Sequence, residues 1–241
     1  ELLTEGGMKI AGLQKNSFVD YPEIIAAVIF TPGCNMNCFY CHNQVLLGKN
    51  ADKNLIDTEE VLGFLSGRRG FLEGVVISGG EPMLQSGLEE FMQDVKRMGY
   101  SVKLDTNGTN PYMLKKLIDG RLVDYVAMDI KAPLHKYSQI CRTYVNINKI
   151  QESIDLLMQG RVDYEFRTTF VPRLNEEDIL RIAGRIKGAR LYVLQQFRGQ
   201  AVQGKKADTR LCVRPHSSHY IKSAVEKIKE MVERCETRGC V

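Results

Sequence analysis

The sequence predicts an α/β fold built on parallel strands, and three observations carry that prediction. Short β-branched or apolar runs alternate about six times with longer segments whose apolar residues recur at helical spacing. No composition break, low-complexity run or internal repeat divides the chain, so residues 8–241 read as one domain. Glycine-rich and polar residues gather just after the strand ends, where parallel α/β sheets bind their ligands. Strand–helix alternation places crossover helices on the outside of parallel strands. Periodicity leaves open whether the strands form a flat doubly wound sheet or a partial barrel.

In chain order, residues 12–21 are a mixed lead-in to a first strand at 24–30, which Thr31, Pro32 and Gly33 end. A cysteine-bearing loop follows, then a polar, irregular stretch at 50–57. Asp57 to Glu60 has the pattern of a capping box, with a helix continuing through 61–65. Residues 74–78 (GVVIS) form a β-branched strand that ends in Gly79, Gly80, Glu81 and Pro82. Leu88, Phe91, Met92 and Val95 line one face of a helix over 88–98, which Gly99 stops. A strand at 101–104 ends in Asp105, Thr106, Asn107 and Gly108, and a helix with Pro111 near its start covers 111–118. Strands are expected at 123–130, 164–171 and 190–197, with helices at 148–158 and 176–186. A final amphipathic helix is expected over 219–235, with Ile221, Val225, Ile228, Met231 and Val232 on one face.

Composition limits the function classes. A chain of 241 residues can bury a large core, and 44% hydrophobic with 26% charged residues is ordinary for a globular protein. A net charge of +4 is too small to argue for nucleic acid. The apolar runs are strand-sized, so no membrane helix is expected, and no signal-peptide pattern opens the chain. Seven unevenly spaced cysteines fit a reducing cytosol better than a disulfide framework, which makes the expected location cytoplasmic. Residues 1–7 read equally as a native extension or as a cloning remnant ahead of Met8.

The chemistry centres on Cys34, Cys38 and Cys41, three soft ligands within eight residues on a loop leaving a strand. Such a set suits zinc or an iron–sulfur cluster. Three ligands leave one iron of a four-iron cubane open, whereas His42 would close a zinc site. Gly79 and Gly80 permit close backbone approach, and Glu81 adds a carboxylate beside them. Asp105 and Asp129 end neighbouring strands: two close carboxylates share a proton or bind a cation, and helix N-caps are the plainer reading. Lys131, two residues past Asp129, lies on the same face of an extended chain. Arg167 lies in a strand and can grip a carboxylate or form a buried ion pair. In the tail, Cys212, Cys235 and Cys240 read as an incidental set or, with His216, as a second metal site. Cys141 reads as a packed thiol, and His216 and His219 as the start of the last helix. Lys205, Lys206, Arg210 and Arg214 read as a solvated loop or as a face for an acidic partner.

With these residues in view, the chain resembles the radical S-adenosylmethionine (SAM) superfamily. The C-x3-C-x2-C loop with Tyr40 before its last cysteine is that family's signature, and Gly79-Gly80-Glu81-Pro82 matches its second motif. Within the superfamily it is similar to glycyl-radical-enzyme activases, above all those of anaerobic ribonucleoside-triphosphate reductase. The segments 12–15, 20–22, 32–34, 40–43, 105–108, 128–131 and 194–198 carry this match, which spans about residues 8–197. The resemblance implies a partial (β/α)6 barrel of the radical SAM type. Cys34, Cys38 and Cys41 would ligate three irons of a 4Fe–4S cluster, and SAM would bind the fourth. Gly79 and Gly80, with Glu81 supporting their turn, would meet the methionine amino end, and Tyr40 would lie by the adenine. Lys131 and Arg167 match SAM-contacting positions. Asp105, Thr106 and Asp129 match the ligands of a monovalent cation in pyruvate formate-lyase activases.

The implied reaction is reductive cleavage of SAM to a 5′-deoxyadenosyl radical, which takes hydrogen from a glycine of a partner protein. The implied partners are an anaerobic ribonucleotide reductase as the glycyl radical enzyme and an electron donor such as a flavodoxin or ferredoxin. Neither a nucleic acid nor a membrane is among them. One departure matters for the target: Phe197 stands about where lyase activases carry a histidine. A deazaguanine-type synthase acting on a small molecule, and a metal-binding module without catalysis, are the competing readings.

Overall fold

The structure is a computed structural model that describes residues 7–48, 51, 53–199 and 212–240. One eight-stranded sheet forms its centre, and its spatial order follows the sequence. The strands are β1 (Gly12–Ser17), β2 (Ala26–Thr31), β3 (Gly74–Gly79), β4 (Ser101–Thr106), β5 (Tyr125–Asp129), β6 (Asp163–Phe170), β7 (Tyr192–Gln196) and β8 (Cys235–Arg238). β1 runs antiparallel to β2, and every later pair is parallel. Successive crossovers of one hand place each new strand beside the last, which gives this sequential order. β1 and β8 stand at the two ends of the sheet, so the barrel is open. The expected partial barrel is β2 to β7, with an edge strand added on each side.

The helices are α1 (Thr58–Ser66), α2 (Leu88–Arg97), α3 (Pro111–Asp119), α4 (Tyr137–Cys141), α5 (Ile147–Met158), α6 (Glu176–Arg185) and α7 (Ser218–Ile228). α2 shows why they form. Leu88, Phe91, Met92 and Val95 bury one stripe, while Glu89 and Glu90 open the helix and Lys96 and Arg97 end it, in keeping with the helix dipole. α6 begins with a reciprocal capping box between Asn175 and Asp178.

The two faces of the sheet bury different things. Along β2, Ala27 and Ile29 join the large core shared with the helices. Ala26 and Val28, pointing the other way, form a small cluster with Tyr21 and Val76. The register carries that inner face onward, with Val76 opposite Lys103 and Lys103 opposite Tyr125. Apolar residues therefore floor the concave side at β2 and β3, and charged ones take over from β4.

Several expectations need correction. The lead-in at 12–21 contains β1, whose pairing with β2 short-range periodicity could not show. The last helix stops at Ile228, and Cys235 begins β8 instead of ending α7. The apolar spacing of Met231 and Val232 continued the helical pattern, but Val232 packs in the core from a turn. Asp57 caps α1 through the Glu59 N–H, so the start is an aspartate cap without the expected box. α4 was not foreseen. Lys205, Lys206 and Arg210 lie outside the described residues.

Candidate active site at the open end of the sheet

The C-terminal ends of β2 to β7 surround a cavity of about 500 Å³, within the usual range for small-molecule sites. Cys34, Cys38 and Cys41 line it. The loop that carries them is pinned by backbone: Gly33 donates to Leu46 at 2.7 Å and accepts from Glu81 N–H at 2.8 Å. Gly79 and Gly80 make that junction possible. A Cβ on Gly80 would lie 1.8 Å from the Gly33 carbonyl oxygen, and one on Gly79 would lie 2.4 Å from the Thr31 backbone. Gly79 also has φ +116°, a conformation L side chains rarely adopt. The immediate reason for two glycines is thus the close crossing of the β2 and β3 exits, and the same crossing exposes their backbone to the cavity.

Glu81 is fully buried behind this wall. It accepts from Thr106 Oγ1 at 2.8 Å, Asn107 N at 2.7 Å and Met83 N at 3.3 Å, tying the β3 exit to the β4 exit. Burial pushes its carboxyl up to about 7, against those three donors, which favour the charged form. Thr106 lines the cavity with its hydroxyl committed to Glu81.

The opposite wall is ionic. Arg167 Nε reaches Asp129 at 2.9 Å, and its Nη1 reaches Asp105 at 3.3 Å. Lys131 Nζ holds the other oxygen of Asp129 at 2.8 Å, and Lys103 Nζ holds Asp105 at 2.6 Å. Ser78 completes the set by donating to Asp105 at 3.0 Å. Burial would raise both carboxyls. Arg167, with Lys131, nevertheless holds Asp129 down at about 2, and Arg167, with Lys103, holds Asp105 below its usual value. Neither aspartate caps a helix, because Asn110 and Asn146 do that work for α3 and α5. A shared proton is excluded by the cations, which already neutralise both groups.

The structure therefore gathers the singled-out residues on one cavity: three cysteines, Tyr40, Gly79, Gly80, Asp105, Thr106, Asp129, Lys131 and Arg167 line it, and Glu81 buttresses it. His42 lies at the rim, with its ring 6.1 Å from the Phe197 ring. The sequence reading missed Lys103, although it stands two residues before Asp105, as Lys131 stands two after Asp129. It also missed Asn107, Asp20 and Ser78. Cys141, the expected packed thiol, is fully buried, and its carbonyl accepts from the Asn37 N–H of the cysteine loop at 3.0 Å. The neighbouring Cys141 thiol lowers Cys38 to about 7, while burial pushes Cys34 up to about 11. Cys235 begins β8, and Cys240 lies two residues past its end.

A concave, ionically built cavity at the open end of a parallel α/β barrel, walled on one side by three thiols, defines an enzyme that mounts a thiolate-held cofactor. The chain belongs to the radical SAM superfamily: that family's model matches residues 28–186. It is 41% identical over 197 residues to "Putative glycyl-radical enzyme activating enzyme MJ1227" of Methanocaldococcus jannaschii, covering 78% of this chain and 79% of that protein. It is also 30% identical over 183 residues to the 7-carboxy-7-deazaguanine synthase of Archaeoglobus fulgidus, covering 71% and 75%. Among solved structures, Streptococcus suis SuiB bound to S-adenosylmethionine aligns with TM-score 0.65 at 11% identity, over 88% of this chain and 52% of SuiB. Escherichia coli QueE aligns with TM-score 0.53 at 16% identity, over 96% and 93%. These two likenesses concern the fold alone.

Enzymes of this superfamily use a 4Fe–4S cluster and SAM. The residues present fit such a pair. Three thiols border a cavity large enough for a cluster and a nucleoside. The Tyr40 hydroxyl, buried beside it, has no hydrogen-bond partner among the described residues, the condition that a bound polar group relieves. Cationic side chains face the same space. Among the described residues no helix is long and apolar enough to cross a membrane.

Proposed function

We propose that this protein is a glycyl-radical-enzyme activase whose target is an anaerobic ribonucleotide reductase. The observation that carries the reading is the conjunction of the three-thiol cavity, open toward the strand ends, with 41% identity to a protein named as a glycyl-radical enzyme activating enzyme, a name that specifies no target. The open mouth suits a substrate that arrives as a loop of another protein. Phe197 favours the reductase over the lyase as target. It is buried against His42 where a histidine is expected for a lyase activase.

In this reading Cys34, Cys38 and Cys41 hold the cluster. When bound, the cluster and SAM supply one-electron cleavage of a sulfonium and a carbon-centred radical. This chain's own residues bind, orient and exclude water. Lys131 and Arg167 present cationic donors to the SAM carboxylate and are themselves fixed by Asp129 and Asp105. Gly79 and Gly80 offer backbone atoms to the amino end, and Tyr40 packs by the adenine. Lys103 and Arg167 already occupy Asp105, which leaves a monovalent cation as an accessory at most. No side chain acts as general base. A flavodoxin or ferredoxin supplies the electron, and the setting is the cytoplasm.

Anaerobic EPR tests this. The reconstituted protein, SAM and a reductant are mixed with the reductase or with a pyruvate formate-lyase of the same organism. A glycyl doublet on the reductase alone is expected. A doublet on the lyase alone overturns the target. SAM cleavage with no protein radical, and turnover of a deazaguanine precursor instead, favours the small-molecule reading that the 30% identity to the A. fulgidus synthase supports.

A further inference from the structure

The cysteine loop has a second side. Met36 lines the cavity and also a separate cleft of about 170 Å³, bordered by Asn35, Thr109, Tyr144, Asn146 and Lys149. One buried side chain thus divides the two spaces. Hydrogen bonds hold this partition in place. Asn35 donates to Thr109 Oγ1 at 2.8 Å and accepts from Asn107 Nδ2 at 2.9 Å, while the Asn37 N–H donates to the Cys141 carbonyl at 3.0 Å. Residues 24–51, 130–151 and 166–175, which supply the cysteine loop and the segments beside it, contain no aspartate or glutamate. Arg142, Lys149 and Arg173 are exposed there, with Arg173 lying 4.5 Å over the Phe39 ring. None of the three forms an ion pair among the described residues, whereas Lys131 and Lys136 are taken up by Asp129 and Asp178. Tyr144 stands 85% exposed between Arg142 and Lys149 in the chain. Glu152, one turn past Lys149 on α5, is the first acid beyond this face.

This inference rests on the reading of Cys34, Cys38 and Cys41 as cluster ligands, since such a cluster takes its electron from outside the chain. We infer that the outer face of the cysteine loop, made of Asn35, Arg142, Tyr144, Lys149 and Arg173, is the docking surface for an acidic one-electron carrier protein. The carrier is oxidised by one electron, the cluster is reduced by one, and no atom changes hands. Position is the first argument. A carrier that used the cavity mouth would compete with SAM and with the loop of the target protein. The cleft behind Met36 gives a separate approach to the same cysteines. Charge is the second argument. A cationic face without acids attracts an acidic partner and speeds the encounter without demanding tight binding. That suits a carrier, which must leave after each electron, and redox encounters belong to the small, weak class of interfaces. Tyr144 and the arginines are residue types that anchor such contacts. The lack of acids is visible in each of the three sequence stretches, but only the fold brings the stretches together.

The test uses the full chain, reconstituted anaerobically, as wild type, Lys149→Glu and Arg142→Glu/Lys149→Glu. A control, Arg185→Glu/Lys187→Glu, changes the net charge as much as the double variant, but after α6, at the other end of the strands. Two quantities are measured without the target enzyme. One is the rate at which the reduced ferredoxin or flavodoxin of the same organism bleaches the cluster, and the other is the Kd of the oxidised carrier by titration calorimetry. At low salt the double variant should lose about tenfold or more in rate and affinity and the control less than about twofold, with the gap closing near 0.5 M salt. Lys149→Glu, which leaves the turn at Arg142 untouched, should show part of the loss. Photoreduced deazaflavin, small and uncharged, should reduce the cluster of all four forms equally. Carrier rates equal to wild type in both face variants overturn the inference, as does an equal loss in the control or with deazaflavin. So does a wild type that deazaflavin reduces but neither carrier does. Loss of glycyl radical formation with the carrier rate intact would give this face to the target protein instead. Failure of the wild type to take up iron would sink the cluster reading, and the inference with it.

Discussion

The two walls of the cavity are built on opposite principles. The wall formed by the β2 and β3 exits is a contact of backbone with backbone, in which Gly79 and Gly80 approach the Thr31 and Gly33 backbone too closely to carry side chains. The wall formed by β4, β5 and β6 is a lattice of charges, Lys103–Asp105–Arg167–Asp129–Lys131, of which Lys103 is buried and the rest are half-buried. The first wall is fixed by shape and needs no charge. The second is fixed by charge, and its members also present donors to the cavity. The first should therefore fail on any gain of volume, while the second should fail on loss of one charge.

The largest effect is expected from Gly80→Ala. Its Cβ would lie 1.8 Å from the Gly33 oxygen and 2.6 Å from the Gly33 carbonyl carbon, both rigid backbone atoms. The two strand exits must part, which moves the cysteine loop as a whole. A loss beyond about 5 kcal/mol belongs to the rare tail of single substitutions, and we expect this variant there. Denaturant unfolding of the cluster-free chain measures it, and iron uptake should fall with it. A loss under about 1 kcal/mol, in the range of ordinary substitutions, would mean the crossing relaxes easily.

The second effect comes from Asp129→Ala. It strips Arg167 Nε and Lys131 Nζ of their shared carboxylate in a site where both cations are largely buried. Removing one member of a buried ionic set costs about 3–5 kcal/mol, mostly from the charges left behind. Replacing Asp129 and Arg167 together with leucine should cost less than the single change, since fewer unpaired charges remain. A double variant as unstable as the sum of the singles would show that packing, and not charge, holds this wall.

How much of this was legible in the sequence differs between the walls in the same way. The glycine wall announces itself locally: three cysteines, then Gly79 and Gly80, each at a strand end. The ionic wall was half legible. Lys131 beside Asp129 followed from strand alternation, and the same argument applied two residues before Asp105 would have found Lys103. The pairing of Arg167 with both aspartates depends on three strands lying in order, which no local pattern states. The edge strands escaped for a related reason. β1 is irregular against β2, and β8 is four residues whose Arg238 is held by Glu165 through bonds of 2.7 and 2.6 Å across the open inner side. Such strands exist because a partner is there, not because their own residues demand it.

The smallest effect contrasts one carboxylate from each wall by pH. Glu81 is fully buried and meets only neutral hydrogen-bond donors, whereas Asp129 lines the cavity half-buried and meets two cations. Glu81 is raised from 4.5 to about 7, so the native state holds a proton that the unfolded chain has released. Its contribution to stability therefore declines as pH rises from 4.5 to 7, with a slope of at most about 1.4 kcal/mol per pH unit. Asp129 is lowered from 3.8 to about 2, so its contribution is present above 3.8 and disappears as pH falls through 2. The slopes have opposite signs in separate windows. Unfolding of the cluster-free chain, compared with Glu81→Gln across pH 4.5 to 7, isolates the first: the wild type should lose stability relative to the variant as pH rises. Parallel profiles would mean that the N–H groups of Asn107 and Met83 and the Thr106 hydroxyl already stabilise a charged Glu81. The glycine wall would then depend on a buried charge after all, and the contrast between the walls would shrink to one of shape.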